Sequence, residues 1–175
     1  CACRRNSIGF VLRKSVDLDL FCHKSFDQLE IEKEFRGKFG EDFFYEPASR
    51  QFGIFCYIQN IKVDIVYYPY QLISPVECID SIRMYSIADI AAMKIQAMLG
   101  REKKKDFWDI YELLQHYPLQ QLIDWHKQKF PSQMLAISIP NALVYFTDAE
   151  ESEMPVSLKG QTWEQVKAGI ANAVN

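Results

Sequence analysis

The chain has 175 residues and a mass of 20.5 kDa, with 49% hydrophobic and 25% charged side chains, enough for one domain or two small lobes sharing a core. That balance excludes a disordered chain or a collagen-like fibre, and a net charge of -3 gives no bulk reason to coat nucleic acid or a membrane surface. Five cysteines, with no Cys-x-x-Cys pair and no histidine at zinc-finger spacing, predict free thiols in the cytoplasm, and neither a signal peptide nor a membrane span is visible.

The first half reads as strands and turns. Residues Val16–Phe21 alternate with period two, so Val16, Leu18 and Leu20 face one way and Asp17 and Asp19 the other. Ser25 with Gln28 predicts a capped helix whose apolar side is Leu29, Ile31 and Phe35, ending near Gly37 or Gly40. Two aromatic and β-branched runs, 52–59 and 61–68, are separated by a short Gln59-Asn60 link and predict a hairpin that Pro69 ends.

The second half changes to a helical period. Ser86 with Asp89 opens a helix running to Leu99, with Gly100 as its stop, and a basic link leads to a helix over 106–116 broken by Pro118. Further helices are expected over 119–129 and 132–146, the latter kinked or broken at Pro140, and a last one capped by Thr162 with Gln165. The predicted fold class is α+β: a small mixed β-sheet core with flanking helices over residues 1–84, then a helical lobe over 85–175 packed on it.

Asp17 and Asp19 come first among chemical candidates. Two carboxylates two apart on a strand project from one face, about 6–7 Å apart, where they repel unless a cation compensates them. Hard oxygen ligands at this spacing suit Mg²⁺, whereas a plainly solvated outer strand face has the same pattern. Asp64 sits amid the strand Ile61–Val66, where a carboxylate is expensive unless it is solvated, hydrogen-bonded or metal-bound. If that strand lies beside the Asp17/Asp19 strand, three carboxylates converge in the arrangement used for two-metal phosphoryl or nucleotidyl transfer. The alternative is an exposed edge face with Asp64 paired to Lys62. Lys94 falls in the middle of an apolar helical arc formed by Ile87, Ile90, Ala91, Ala97 and Met98, not at its edge. It either reaches anions in a cleft or pairs with a carboxylate, for which Asp106 and Asp109 are the candidates. The run Lys103-Lys104-Lys105 reads as a solvated link or a contact to phosphates.

These motifs together resemble the AbiEii/AbiGii-type nucleotidyltransferases, toxins of bacterial abortive-infection and toxin–antitoxin systems in the DNA polymerase β-like superfamily. Arg13–Phe21 is similar to their metal-binding motif, Lys62-Val63-Asp64 to their third-carboxylate strand, and Ser86–Lys94 with Lys105–Tyr111 to their two helical motifs. Leu158-Lys159-Gly160 with Trp163-Glu164 also fits. The resemblance implies transfer of a nucleoside monophosphate from an NTP, GTP among the candidates, to a hydroxyl such as the 3′ end of tRNA. It further implies Mg²⁺ held by Asp17, Asp19 and Asp64, with Asp64 also the base. Lys94 would be catalytic, and Ser15, Lys94, Lys105, Asp106 and Asp109 would bind nucleotide or acceptor. The implied protein partner is a cognate antitoxin.

One departure stands out. The family carries Gly-Gly-Thr/Ser-Ala-Leu ahead of its paired aspartates, a turn whose amides and hydroxyl hold triphosphate. Here residues 4–12 read Arg-Arg-Asn-Ser-Ile-Gly-Phe-Val-Leu. Those residues with Arg13 can be encoded as CGG CGG AAC AGC ATT GGC TTT GTA TTA CGG; dropping the first base yields Gly-Gly-Thr-Ala-Leu-Ala-Leu-Tyr-Tyr. The expectation is that residues 1–12 are incomplete or out of frame, through a frameshift or an error in the gene sequence, which sequencing the locus decides. Two rival readings follow: a catalytically impaired nucleotide- or RNA-binding remnant, and an interaction protein whose carboxylates are incidental.

Overall fold

The computed structural model describes residues 2–4, 17–45 and 53–175. The Gly-Gly-Thr/Ser position and Ser15 lie outside these apart from the backbone of residue 4. Contact density divides the chain into two units. One takes the described residues through Gln71 together with Val76–Tyr85, and the other takes Leu72–Pro75 and Ser86–Asn175.

The first unit is a seven-stranded mixed sheet with one helix. Its strands are β1 (Ala2–Arg4), β2 (Leu18–Cys22), β3 (Phe43–Tyr45), β4 (Gly53–Ile58), β5 (Ile61–Tyr67), β6 (Glu77–Ile79) and β7 (Ile82–Met84), in the spatial order β3-β4-β5-β2-β1-β7-β6. The hairpin β4–β5 forms through Gln59 and Asn60, both at positive φ (50° and 63°), the left-handed pair that a two-residue turn demands. Helix α1 (Gln28–Phe39) is capped by Asp27, whose Oδ1 accepts from the Leu29 and Glu30 amides, rather than by Ser25. It ends at Gly40, at φ 54°. Ile31 and Phe35 pack against the sheet core of Cys22, Phe43, Ile54, Cys56, Val63 and Ile65, but Leu29 is 75% exposed and does not belong to the buried side.

The second unit is helical: α2 (Ile87–Arg101), α3 (Lys104–Leu114), α4 (Leu119–Lys129), α5 (Ile139–Leu143) and α6 (Trp163–Val174). Ser86 caps α2 and a full capping box of Thr162 and Gln165 opens α6. Gly100 is inside α2, and the helix stops two residues later at Glu102, which takes the left-handed conformation. The helix expected over 132–146 shrinks to α5. Ser138 caps it and Pro140 occupies its first turn, where the missing N–H costs nothing, so the proline starts a helix here and does not kink one. Ala91, Ile95, Met98, Phe107, Trp108, Leu122, Leu143, Trp163, Val166 and Ile170 form the core of this unit. Among the described residues no helix is long and apolar enough to cross a membrane.

Candidate functional site

The period of two in β2 and β5 divides their side chains cleanly. Leu18, Leu20 and Cys22 with Val63 and Ile65 turn to the core under α1, which sends Asp19, Lys62 and Asp64 to the opposite face. The strands are parallel and Asp19 is the register partner of Asp64, with Leu18 opposite Val63. The two residues therefore stand side by side on neighbouring strands whose backbones are about 4.8 Å apart. Asp17 lies just before β2 and is exposed, whereas Asp19 is half-buried. β5 is flanked by β4 and β2, so Asp64 is not on an edge strand, although the Lys62 pairing expected for such an edge does form.

That pairing is one-sided. Lys62 Nζ donates to Asp64 Oδ2 at 2.6 Å, while Asp64 Oδ1 is buried and has no hydrogen-bond partner among the described residues. Burial alone would lower the Lys62 ammonium, but its bond and charge interaction with Asp64, joined by the charges of Asp17 and Asp19, raise it above the usual lysine range. All three carboxylates thus act on one ammonium. On β4, Cys56 donates to the Val63 carbonyl, and burial followed by the Asp64 charge pushes its thiol up to about 11. Cys22 is disulfide-bonded, against the expectation of free thiols, whereas Cys56 and Cys78 are free.

A divalent cation can be tested against these residues. No three His, Cys, Asp or Glu side chains among the described residues are already gathered to hold one. The donor chemistry nevertheless fits: hard carboxylate oxygens in register, one of them buried without a hydrogen, and a cation of the protein's own at the other. An open cavity of about 490 Å³ in the same unit lies past the C-terminal end of β2, lined by His23, Lys24, Phe26, Val76 and Arg83 among others, and none of the three carboxylates borders it.

The helical candidates are built differently. Lys94 is 3% exposed on the core side of α2, and its ammonium donates to Asp109 Oδ2 on α3. The central position of Lys94 in its apolar arc thus has a carboxylate as its answer. Asp106 is fully buried and takes a two-pronged bond from Arg101, through Nε at 2.8 Å and Nη2 at 2.7 Å. Burial pushes the Asp106 carboxyl up, but the Arg101 bonds and charge outweigh it and hold it below the usual carboxylate range. Lys104, read as part of a solvated link, is 5% exposed and its Nζ donates to the carbonyls of Glu150 and Ser152. Lys105 is half-buried.

One constellation escaped the reading of the sequence. Asp89 and Lys129 are both wholly buried and paired at 2.7 Å, and Asp89 also accepts from the amides of Ile73 and Ser74 and from Ser86 Oγ. Burial pushes the Asp89 carboxyl up; the Lys129 bond, the Ile73 amide and Ser86 overcome that and hold it below its ordinary range. The signal was present: Lys129 lies seven residues after Leu122, on the inner side of α4 with Ile123 and His126.

Comparison with known proteins follows the same lines. The family model "Nucleotidyl transferase AbiEii toxin, Type IV TA system" matches residues 8–171. An uncharacterized protein of Aquifex aeolicus (strain VF5) is 31% identical over 145 residues, which covers 79% of this chain and 68% of that protein. Among solved structures, JHP933 from Helicobacter pylori superposes with a TM-score of 0.52 at 19% identity, covering 93% of this chain and 75% of the other. A candidate nucleotidyltransferase from H. pylori gives 0.56 at 18% identity, covering 99% of this chain and 84% of the other. At these identities the two structures speak for the fold. The family match spans nearly the whole chain, so this protein belongs to the AbiEii nucleotidyl transferase toxin family of type IV toxin–antitoxin systems and is a nucleotidyltransferase.

Proposed function

We propose that the chain transfers a nucleoside monophosphate from an NTP to a hydroxyl acceptor, with the 3′ end of tRNA as the first candidate, using Mg²⁺ held by Asp17, Asp19 and Asp64. The observation that supports this most is the register of Asp19 against Asp64, with a buried Asp64 oxygen that no donor among the described residues satisfies. A buried carboxylate oxygen without a donor is costly, and bound cation or substrate is its physical remedy. The metal, when bound, supplies charge neutralisation at the triphosphate.

The chain's own residues do the rest. Asp64 accepts the proton of the attacking hydroxyl; that oxygen forms a bond to the α-phosphorus, the bond to the β-phosphate side breaks, and pyrophosphate leaves. Catalytic Lys94, and nucleotide or acceptor binding by Ser15, Lys94, Lys105, Asp106 and Asp109, belong to the same proposal. The buried pairs Lys94–Asp109 and Arg101–Asp106 support a positioning part for three of these residues. The system partner is a cognate antitoxin.

A second reading has its own observation: residues 4–12 lack the Gly-Gly-Thr/Ser turn, and a chain without that triphosphate grip binds nucleotide or RNA without transferring it. Labelled NTPs with Mg²⁺ and total tRNA separate the two. Mg²⁺-dependent labelling that disappears in Asp17→Ala/Asp19→Ala supports transfer. Binding without labelling, in this chain and in a version with Gly-Gly-Thr restored, overturns it in favour of the second reading.

A further inference from the structure

We propose that Lys62 is a resident counter-cation that competes with the divalent metal for Asp64, so that Lys62 sets the metal affinity of the site. The inference rests on the carboxylate reading above and deepens it by naming the residue that opposes loading.

The geometry carries it. Lys62 and Asp64 are two apart on β5 and therefore on one face, with Nζ 2.6 Å from Oδ2. The ammonium satisfies one carboxylate oxygen and leaves the other, Oδ1, buried without a partner among the described residues. A purely structural pair would be expected to saturate a carboxylate that is only 14% exposed; this one half-satisfies it. The Lys62 side chain is itself 36% exposed, so its flexible stem can carry the charge into water without unpacking the sheet. Asp17 and Asp19 act on the same ammonium by charge. Lys62 is thus a positive charge at Asp64 that a metal must displace or repel, and in the metal-free protein it offsets the mutual repulsion of the carboxylates.

Equilibrium Mn²⁺ binding to the full chain tests this, by electron paramagnetic resonance of the free ion, in wild type, Lys62→Gln, Lys62→Arg and Asp64→Asn. Removing a unit charge at hydrogen-bond distance from the ligand should tighten Mn²⁺ binding in Lys62→Gln by about tenfold or more. Lys62→Arg, which keeps the charge, should stay within about threefold of wild type, and Asp64→Asn should lose the site. The thermal shift on adding Mn²⁺ should also be larger for Lys62→Gln than for wild type. If Lys62→Gln does not fold without metal, the Mn²⁺ concentration that restores its helical circular dichroism is the readout. A midpoint below the wild-type Kd supports the proposal, and no recovery at concentrations that saturate wild type overturns it. Equal or weaker binding by Lys62→Gln, with Asp64→Asn still abolishing the site, overturns the competition and leaves the metal reading standing. Absence of any Asp64-dependent Mn²⁺ binding in all four proteins overturns both.

Discussion

Removing the Asp89 carboxylate should be among the most damaging single changes in the helical unit. In Asp89→Ala the Lys129 ammonium, fully buried, loses its counter-charge, and the amides of Ile73 and Ser74 lose their acceptor. Breaking a buried ion pair costs about 3–5 kcal/mol, and each orphaned amide adds about 1 kcal/mol where water can partly reach it, as it can at the half-buried Ile73 and Ser74. The sum, about 5–7 kcal/mol, rivals the whole stability of an ordinary domain. Lys129→Met should cost less, about 3 kcal/mol, because the stranded Asp89 keeps Ile73, Ser74 and the 2.7 Å bond from Ser86. Urea unfolding followed by tryptophan fluorescence and circular dichroism measures both at pH 7. Equal losses in the two variants, or less than about 1 kcal/mol in Asp89→Ala, would show that Asp89 does not organise this region as a hub.

Three further outcomes follow. His126 is buried, its Nε2 lies 2.8 Å from Gln96 Oε1, and burial drops its pKa to about 4. Its folded value lies below the unfolded value of about 6.5, so its contribution is complete above pH 6.5 and is lost as pH falls toward 4. Between pH 7 and 5 wild type should lose about 2 kcal/mol relative to His126→Gln, read from urea midpoints at both pH values. Lys94→Met should cost about 3–5 kcal/mol by breaking its buried ion pair with Asp109, and adding Asp109→Leu should recover most of it in a double-mutant cycle. A Cβ at Gly169 would sit 2.3 Å from Tyr111 Cε2, so Gly169→Ala should cost about 1–3 kcal/mol, a loss that Tyr111→Ala removes if the ring is its cause.

Where the sequence was legible, a local period or a local cap decided the structure. β2 and β5 show in their alternation, the hairpin in Gln59-Asn60, and α2 and α6 in Ser86 and Thr162 with their third neighbours. The β6–β7 hairpin was not visible: each strand has three residues, too few for an alternation to stand out, and only Asp80 and Ser81, both at positive φ, hint at the turn. The 132–146 stretch misled because its apolar residues suit a helix. Met134 is 96% exposed, and the helix starts only where Ser138 and Pro140 permit it. The residue types of the candidate site were readable, but their meeting was not. That Asp19 faces Asp64 is a matter of strand register, which no local pattern specifies.

The pairing of buried charge differs between the two units, and the difference bears on the proposed role of Asp64. In the helical unit four buried acids each have a cation: Asp89 with Lys129, Asp109 with Lys94, Asp106 with Arg101, and Glu112 with Lys159, whereas the part-buried Glu102 lies against Asp148. Such pairs balance the charge of these acids within the protein. In the sheet unit the Lys62 ammonium feels the charges of three carboxylates, and one oxygen of Asp64 is buried without a hydrogen-bond partner among the described residues. Folding alone gives no reason to keep that oxygen, since a threonine or valine at position 64 would suit the middle of a β-strand better. Glu102 Oε2 is likewise buried without a hydrogen-bond partner among the described residues, so it is the register of Asp64 against Asp19, together with its unsatisfied oxygen, that supports the proposal of Asp64 as a residue kept for chemistry. Asp64→Val should therefore leave the fold intact or raise its stability while abolishing nucleotidyl transfer. A Val variant that unfolds, or that still labels acceptor, would return Asp64 to a structural role.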